Sequence, residues 1–206
     1  VARWGWNYYG QAGALPYLSN GAEVVGPTAV PVVGATAIGA GGSDSCAVLA
    51  SDVMGSGSVR CWGMSNTQVS AEIPMPVDEL SGAISVAVGG TSSGVGSSTT
   101  RCALVGDGVQ CWGDNEWGQL GNGVSTNTSS PVDVVGITDA VDIAAGGGHT
   151  CAALALPGGV RPVKCWGANN EGQLGDGTFN SSGAPVSVYD FGATQVATGA
   201  FHTCAL

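Results

Sequence analysis

One motif returns four times along this 206-residue chain, and it limits the possible folds more than any single residue does. Trp-Gly occurs at Trp4, Trp62, Trp112 and Trp166, and Cys-Ala occurs at Cys46, Cys102, Cys151 and Cys204. Both markers recur every 49 to 58 residues, so one structural unit repeats with connections of varying length. The fullest copies run from Cys111 to Gly121 and from Cys165 to Gly175. The chain reads as a single repeat domain over 1–206, with approximate units 1–49, 59–105, 109–154 and 163–206. A residue common to every copy then serves the fold before it serves a ligand.

Each unit reads as four short strands. A β-branched stretch follows a proline at Pro31, Pro76, Pro131 and Pro185. The next strand ends in glycine, at Gly39, Gly89, Gly146 and Gly199; the third holds Cys-Ala, and the fourth runs Val-x-Cys-Trp-Gly. Four strands per unit, bounded by Gly, Pro, Asn and Ser, predict an all-β, propeller-like array of about four four-stranded blades. No sustained 3.6-residue apolar rhythm is present, so almost no helix is expected. Arg3 stands where the other copies have cysteine, and no cysteine follows Cys204 to pair with it. The ends resemble two halves of one hairpin, which leaves a closed ring or an open arc; the Arg3–Cys204 mismatch favours the open arc.

The segment from Arg101 to Trp112 predicts its own register. A two-residue loop at Gly106-Asp107 makes a hairpin, because glycine accepts the positive φ such turns need. Pairing outward sets Val105 against Gly108, Leu104 against Val109, Ala103 against Gln110 and Cys102 against Cys111. The cysteines fall at a pair without ladder hydrogen bonds, where Cα atoms approach to about 4.5 Å, within disulfide range. The same logic joins Cys46 to Cys61 and Cys151 to Cys165 and leaves Cys204 unpaired. Closing a loop of about ten residues contributes roughly 2.5–3 kcal/mol in the chain-entropy account. A zinc site is the competing reading. It needs closely spaced cysteine pairs and further ligands, whereas the intervals here are longer and the chain has only His149 and His202. Disulfides are favoured, and no metal or other cofactor is expected.

Composition narrows the function classes. Net charge is −10, and five basic residues cannot track a phosphate backbone, so nucleic acid is an unexpected partner. No apolar run is long enough to span a membrane as a helix. Disulfides imply an oxidising setting: extracellular, periplasmic or cell-surface.

Cys-Trp-Gly-x-Asn-x-x-Gly-Gln-Leu-Gly, then Pro-x-x-Val, then Gly-x-x-His-Thr-Cys-Ala-Leu resembles the repeat of the regulator of chromosome condensation family. Residues 109–154 and 163–206 carry the resemblance fully. Residues 1–49 carry it through Trp4-Gly5, Asn7 and Gly10-Gln11, and residues 59–105 only through Cys61-Trp62-Gly63 and Cys102-Ala103-Leu104. The resemblance implies a β-propeller, commonly of seven blades, so about four units would be an arc cut from a longer propeller that the rest of a parent chain completes. Function varies widely on this scaffold. The acidic, cysteine-paired form is similar to disulfide-containing secreted or surface bacterial members.

Among candidate sites, His149 and His202 occupy matching positions before Thr-Cys-Ala, so both are expected to hold the fold by bonding to backbone. Asn115, Glu116 and Gln119 recur as Asn170, Glu171 and Gln173, and are expected to brace a loop. Trp62, Trp112 and Trp166 should pack between blades. Aromatics that do not repeat are the better guides to a partner. Trp6, Tyr9, Trp117 and Phe179 are therefore the candidate binding residues, and no catalytic residue is assigned. The expected function is a non-enzymatic interaction module that presents its loops to a protein or glycan. A hydrolase or lyase with its site at the propeller axis would need non-repeated acids or histidines to converge there. A nucleotide-exchange regulator of a GTPase is a third reading, by family analogy.

Overall fold

Tight turns and alternating β-branched residues build hairpins first, and the hairpins assemble into sheets. A computed structural model describes residues 1–5, 11–12, 24–50, 56–64, 70–92, 97–159 and 161–206. Three four-stranded antiparallel sheets follow one another along the chain. The first holds β3 (Ala35–Gly41), β4 (Asp44–Leu49), β5 (Ser58–Met64) and β6 (Ser70–Pro76). The second holds β7 (Ala83–Ser92), β8 (Ser97–Val105), β9 (Gly108–Gly113) and β10 (Thr128–Asp133). The third holds β11 (Ala140–Ala145), β12 (His149–Leu154), β13 (Pro162–Gly167) and β14 (Ser182–Gly192). Two-stranded pairs flank them: β1 (Ala2–Gly5) with β2 (Val24–Ala29), and β15 (Val196–Thr198) with β16 (Thr203–Ala205). The flanking pairs remain separate sheets, so strand pairing leaves the arc open. The one helical element among the described residues is a 3-10 turn at Pro157–Gly159.

The predicted hairpin register holds residue by residue: Val105 pairs with Gly108, Leu104 with Val109, Ala103 with Gln110 and Cys102 with Cys111. The second and third strands of each complete sheet carry a disulfide, Cys46–Cys61, Cys102–Cys111 and Cys151–Cys165, each with its Cα atoms 4.1 Å apart. Cys204 is free and exposed.

The proline-containing strand is the outermost member of the sheet whose Cys-Trp-Gly strand precedes it: β6 pairs with β5, β10 with β9 and β14 with β13. Proline lacks the N–H that an interior ladder requires, so an edge position suits it. In the first copy the proline stretch is not a strand; Pro31–Val33 follows β2 instead.

At the other edge, β3, β7, β11 and β15 lie side by side as the inner strands of successive sheets. Their closeness explains the recurrent glycine. A β-carbon on Gly89 would lie 2.4 Å from the Gly146 carbonyl oxygen, and one on Gly146 would lie 2.4 Å from that of Gly199. Only a residue without a side chain allows that approach.

The hydrophobic core is a series of slabs between neighbouring sheets. Cys46, Val48 and Val59 meet Val86, Val88 and Trp112 between the first two sheets; Leu104, Val109 and Leu120 meet Ile143, Leu154 and Trp166 between the next two. Trp62, Trp112 and Trp166 are all buried at such junctions, as their repetition predicted. A side-chain ion pair crosses the first junction, where buried Arg101 donates to the buried Asp44 carboxylate.

Candidate functional site

Two long loops, between β9 and β10 and between β13 and β14, are braced from within. In the first, the Asn115 amide donates to the carbonyls of Val124 and Thr126 at 3.0 and 3.1 Å, while its Oδ1 accepts from the Leu120 N–H. In the second, Asn169 does the same with Thr178, Asn180 and Leu174. Both asparagines are fully buried, so these bonds replace hydration that the amides have lost. Gln119 accepts the Trp117 N–H through Oε1, and Gln173 accepts the Glu171 N–H, each at 2.9 Å. Asn122 and Asp176 occupy matching turns; although burial opposes it, bonds from Thr178 and Asn169 hold the Asp176 carboxyl below its usual range. Loop bracing by Asn115, Gln119 and Gln173 thus matches expectation. The second bracing asparagine is Asn169 rather than the expected Asn170, and the side chains of Asn170, Glu116 and Glu171 are exposed.

The carbonyls of three glutamines also fasten sheet to sheet. Gln11 accepts from the Ser45 hydroxyl and the Trp62 indole, both at 3.0 Å. Gln119 accepts from Thr150 and Trp166 at 3.0 and 2.9 Å. Gln173 accepts from the Thr203 hydroxyl at 2.8 Å. Beside it lies a cavity of about 390 Å³ lined by Cys165, Leu174, Val188, His202 and Ala205.

The braced loops stand on the same face as the turns from β11 to β12 and from β15 to β16. A cleft of about 250 Å³ opens where three sheets contribute to that face. Gly147, Gly148 and Ala168 belong to the third sheet and its loop, Thr91 to β7, and Ala200 and Phe201 to the turn after β15. Trp117 rises along one side, its Cδ1 3.5 Å from where a Gly148 β-carbon would lie, and stays 47% exposed. Phe201 is 62% exposed. Asn170, Glu171 and Gln173 add polar groups.

Of the candidate binding residues, Trp117 lines this cleft. Phe179 is exposed and lies against Gly172, outside the cleft lining. Trp6 and Tyr9 fall outside the described residues. Phe201 and Glu171 were not singled out as binding residues. Phe201's absence from the other copies was the available signal, whereas pairing Glu171 with Glu116 pointed the other way; the bonds to Gln119 and Gln173 align Glu171 with Trp117 instead.

The matched histidines differ. His149 is buried, and its Nε2 lies 2.9 Å from the Thr203 hydroxyl oxygen, so its partner is a side chain in the next sheet rather than the expected backbone. Burial first, then repulsion from His202, lowers its pKa to about 4. His202 is exposed. No group of three or more His, Cys, Asp or Glu side chains capable of holding a metal occurs among the described residues.

Sheets packed through glycine-lined inner strands, with loops gathered on one face, define an all-β repeat protein of the propeller type. Residues 108–153 and 165–206 match the Regulator of chromosome condensation (RCC1) repeat. The chain is similar to the human E3 ubiquitin-protein ligase HERC2, 31% identical over 139 residues, which is 65% of this chain and 3% of HERC2. It is also similar to the Arabidopsis thaliana ultraviolet-B receptor UVR8, 34% identical over 103 residues, which is 48% of this chain and 22% of the receptor. The chain therefore spans a small part of both relatives. In fold it resembles human WBSCR16 (TM-score 0.74, 17% identity, 96% of this chain and 56% of that one). Yeast RCC1 (Prp20), solved with Kap60, is a second likeness (TM-score 0.58, 20% identity, 80% of this chain and 38% of that one).

Proposed function

We propose that this chain is a non-enzymatic interaction module that receives a partner on the face carrying the Trp117–Phe201 cleft. The observation that carries the reading is the meeting of two exposed, non-repeating aromatics on a frame otherwise made of repeated, internally bonded parts. Aromatic anchors on a stiff support lose little entropy on binding. The cleft carries one carboxylate, Glu171. Paired acids, the usual requirement of hydrolytic acid–base chemistry, are not assembled there.

Two further parts of the reading concern setting and completeness. Three disulfides favour an oxidising compartment, hence a secreted, periplasmic or surface protein, and the acidic, cysteine-paired form suits the bacterial type. Gln173, with Thr203 bound and a 390 Å³ cavity beside it, matches the junctions at which Trp62 and Trp166 dock. It supports a parent propeller whose next Trp-Gly strand enters that cavity. Prp20p from Saccharomyces cerevisiae binds Gsp1p and histones, and nucleotide exchange on a GTPase, by family analogy, is the second reading.

Site-specific photocrosslinking tests the choice of face. A photoreactive residue at position 117 or 201 should capture the partner from the native setting, whereas one at position 107 or 158, on hairpins of the opposite face, should not. Equal capture from both faces would refute the assignment. Acceleration of nucleotide release from a small GTPase would move the reading to the regulatory class.

A further inference from the structure

The cleft also carries information about the chemistry of what enters it. Its volume of about 250 Å³ falls below the range of about 300–1,000 Å³ typical of small-molecule pockets, which suits one long side chain better than a whole ligand. Two of its margins are aromatic, Trp117 and Phe201, and its charged lining residue is Glu171. The Glu171 backbone is tied to Gln173 and the Trp117 backbone to Gln119, so the backbone that carries both side chains is braced before anything binds. No lysine or arginine lines the cleft. Basic groups of the second and third sheets serve elsewhere: Arg101 is buried on Asp44, and Arg161 and Lys164 belong to the connection and strand leading away from the opposite face.

We infer that the cleft takes the side chain of an arginine or lysine presented by an extended, basic segment of a partner protein. The cationic head lies against the Trp117 ring and pairs with the Glu171 carboxylate, while its methylene stem lies along Phe201 and Gly147. An indole face attracts a cation through its quadrupole, and a neighbouring carboxylate adds a charge-assisted bond. A neutral sugar could stack on the same rings, but it would draw nothing from the carboxylate's charge or from a net charge of −10, which steers cations inward. The assignment rests on the proposed partner-binding face and adds the chemistry of the partner.

The test uses three acetylated, amidated dodecapeptides of Gly and Ser: one with three arginines, one with three lysines, and one with three citrullines in place of arginine. Citrulline keeps the shape of arginine and removes its charge. Titration of the full chain, followed by Trp fluorescence and calorimetry, should show binding of the arginine and lysine peptides and at least about tenfold weaker binding of the citrulline one. Raising salt from about 50 to about 300 mM should weaken the charged peptides several-fold. Trp117→Ala and Glu171→Gln should each cost about tenfold while leaving the thermal midpoint unchanged; Phe201→Leu serves as a second, milder probe of the same wall. Equal binding of the citrulline peptide, binding of a neutral oligosaccharide such as chitotetraose in place of the peptides, or indifference to all three substitutions would overturn the inference. Crosslinking from position 117 to a partner, combined with no peptide binding, would remove the cationic ligand and keep the face. Absence of crosslinks from that face would remove both.

Discussion

His149 is one of two histidines in matching sequence positions, and its neighbours give it a different chemistry from His202. Packed beneath the Gly146–Gly148 turn with Thr203 at 2.9 Å, it stays neutral to about pH 4, while the unfolded chain takes up a proton near the ordinary 6.5. The sign follows from that order: its contribution to stability is full above about pH 6.5 and is lost as pH falls toward 4, by up to about 3 kcal/mol. Urea midpoints measured from pH 7 down to pH 5 should fall, and His149→Gln should flatten that fall; parallel slopes in both proteins would refute it. An identical local motif, His-Thr-Cys-Ala, assigns the two histidines one shared role. What separates them is the sheet of β15 and β16, whose Thr203 meets His149, and a local motif carries no record of that neighbour. Glu116 and Glu171 teach the reverse lesson. They stand beside residues that brace the loop, yet their own side chains are exposed, because the bracing is done by Asn115, Asn169 and the glutamines.

At the scale of the element, the hairpins were the most legible part of the chain. A glycine-containing two-residue turn, a strict two-residue alternation and two cysteines in register leave one pairing for β8 and β9, and that pairing is present. The phase of the sheet was less accessible, because a cyclic repeat can be cut at any strand. Proline's missing N–H settles it by sending β6, β10 and β14 to the edge. The three disulfides are alike in register but unequal in shelter. Cys61 is partly exposed, whereas Cys102, Cys111, Cys151 and Cys165 are fully buried. Thiol–disulfide exchange needs access to a sulfur, so a mild reductant should open Cys46–Cys61 first. Timed alkylation and peptide mass analysis would read the order, and opening of Cys102–Cys111 first would contradict it. Each opened bridge should cost about 2.5–3 kcal/mol on the chain-entropy account.

Across the whole molecule, stability is a chain of neighbour-to-neighbour terms, since each core slab belongs to two adjacent sheets. The tightest point is the inner edge. Gly89→Ala would drive a methyl group to 2.4 Å from the Gly146 carbonyl oxygen, whereas Gly108→Ala would meet nothing nearer than 3.8 Å. Gly89→Ala should therefore lower stability by about 3 kcal/mol or more and expose the junction of the second and third sheets to protease, with Gly108→Ala within about 1 kcal/mol of wild type. Comparable melting curves for the two variants would argue against the glycine-lined axis. The cleft was the least legible feature. It draws on Thr91, Trp117, Glu171 and Phe201, residues spread across 110 positions of sequence, and only the stacking of three sheets brings them together. The sulfur bridges all lie inside single sheets and never between them. Under tension applied at its two ends, the array would therefore come apart as separate plates, each rupture releasing less slack than its residue count suggests because a knotted-off loop within it cannot be drawn out straight.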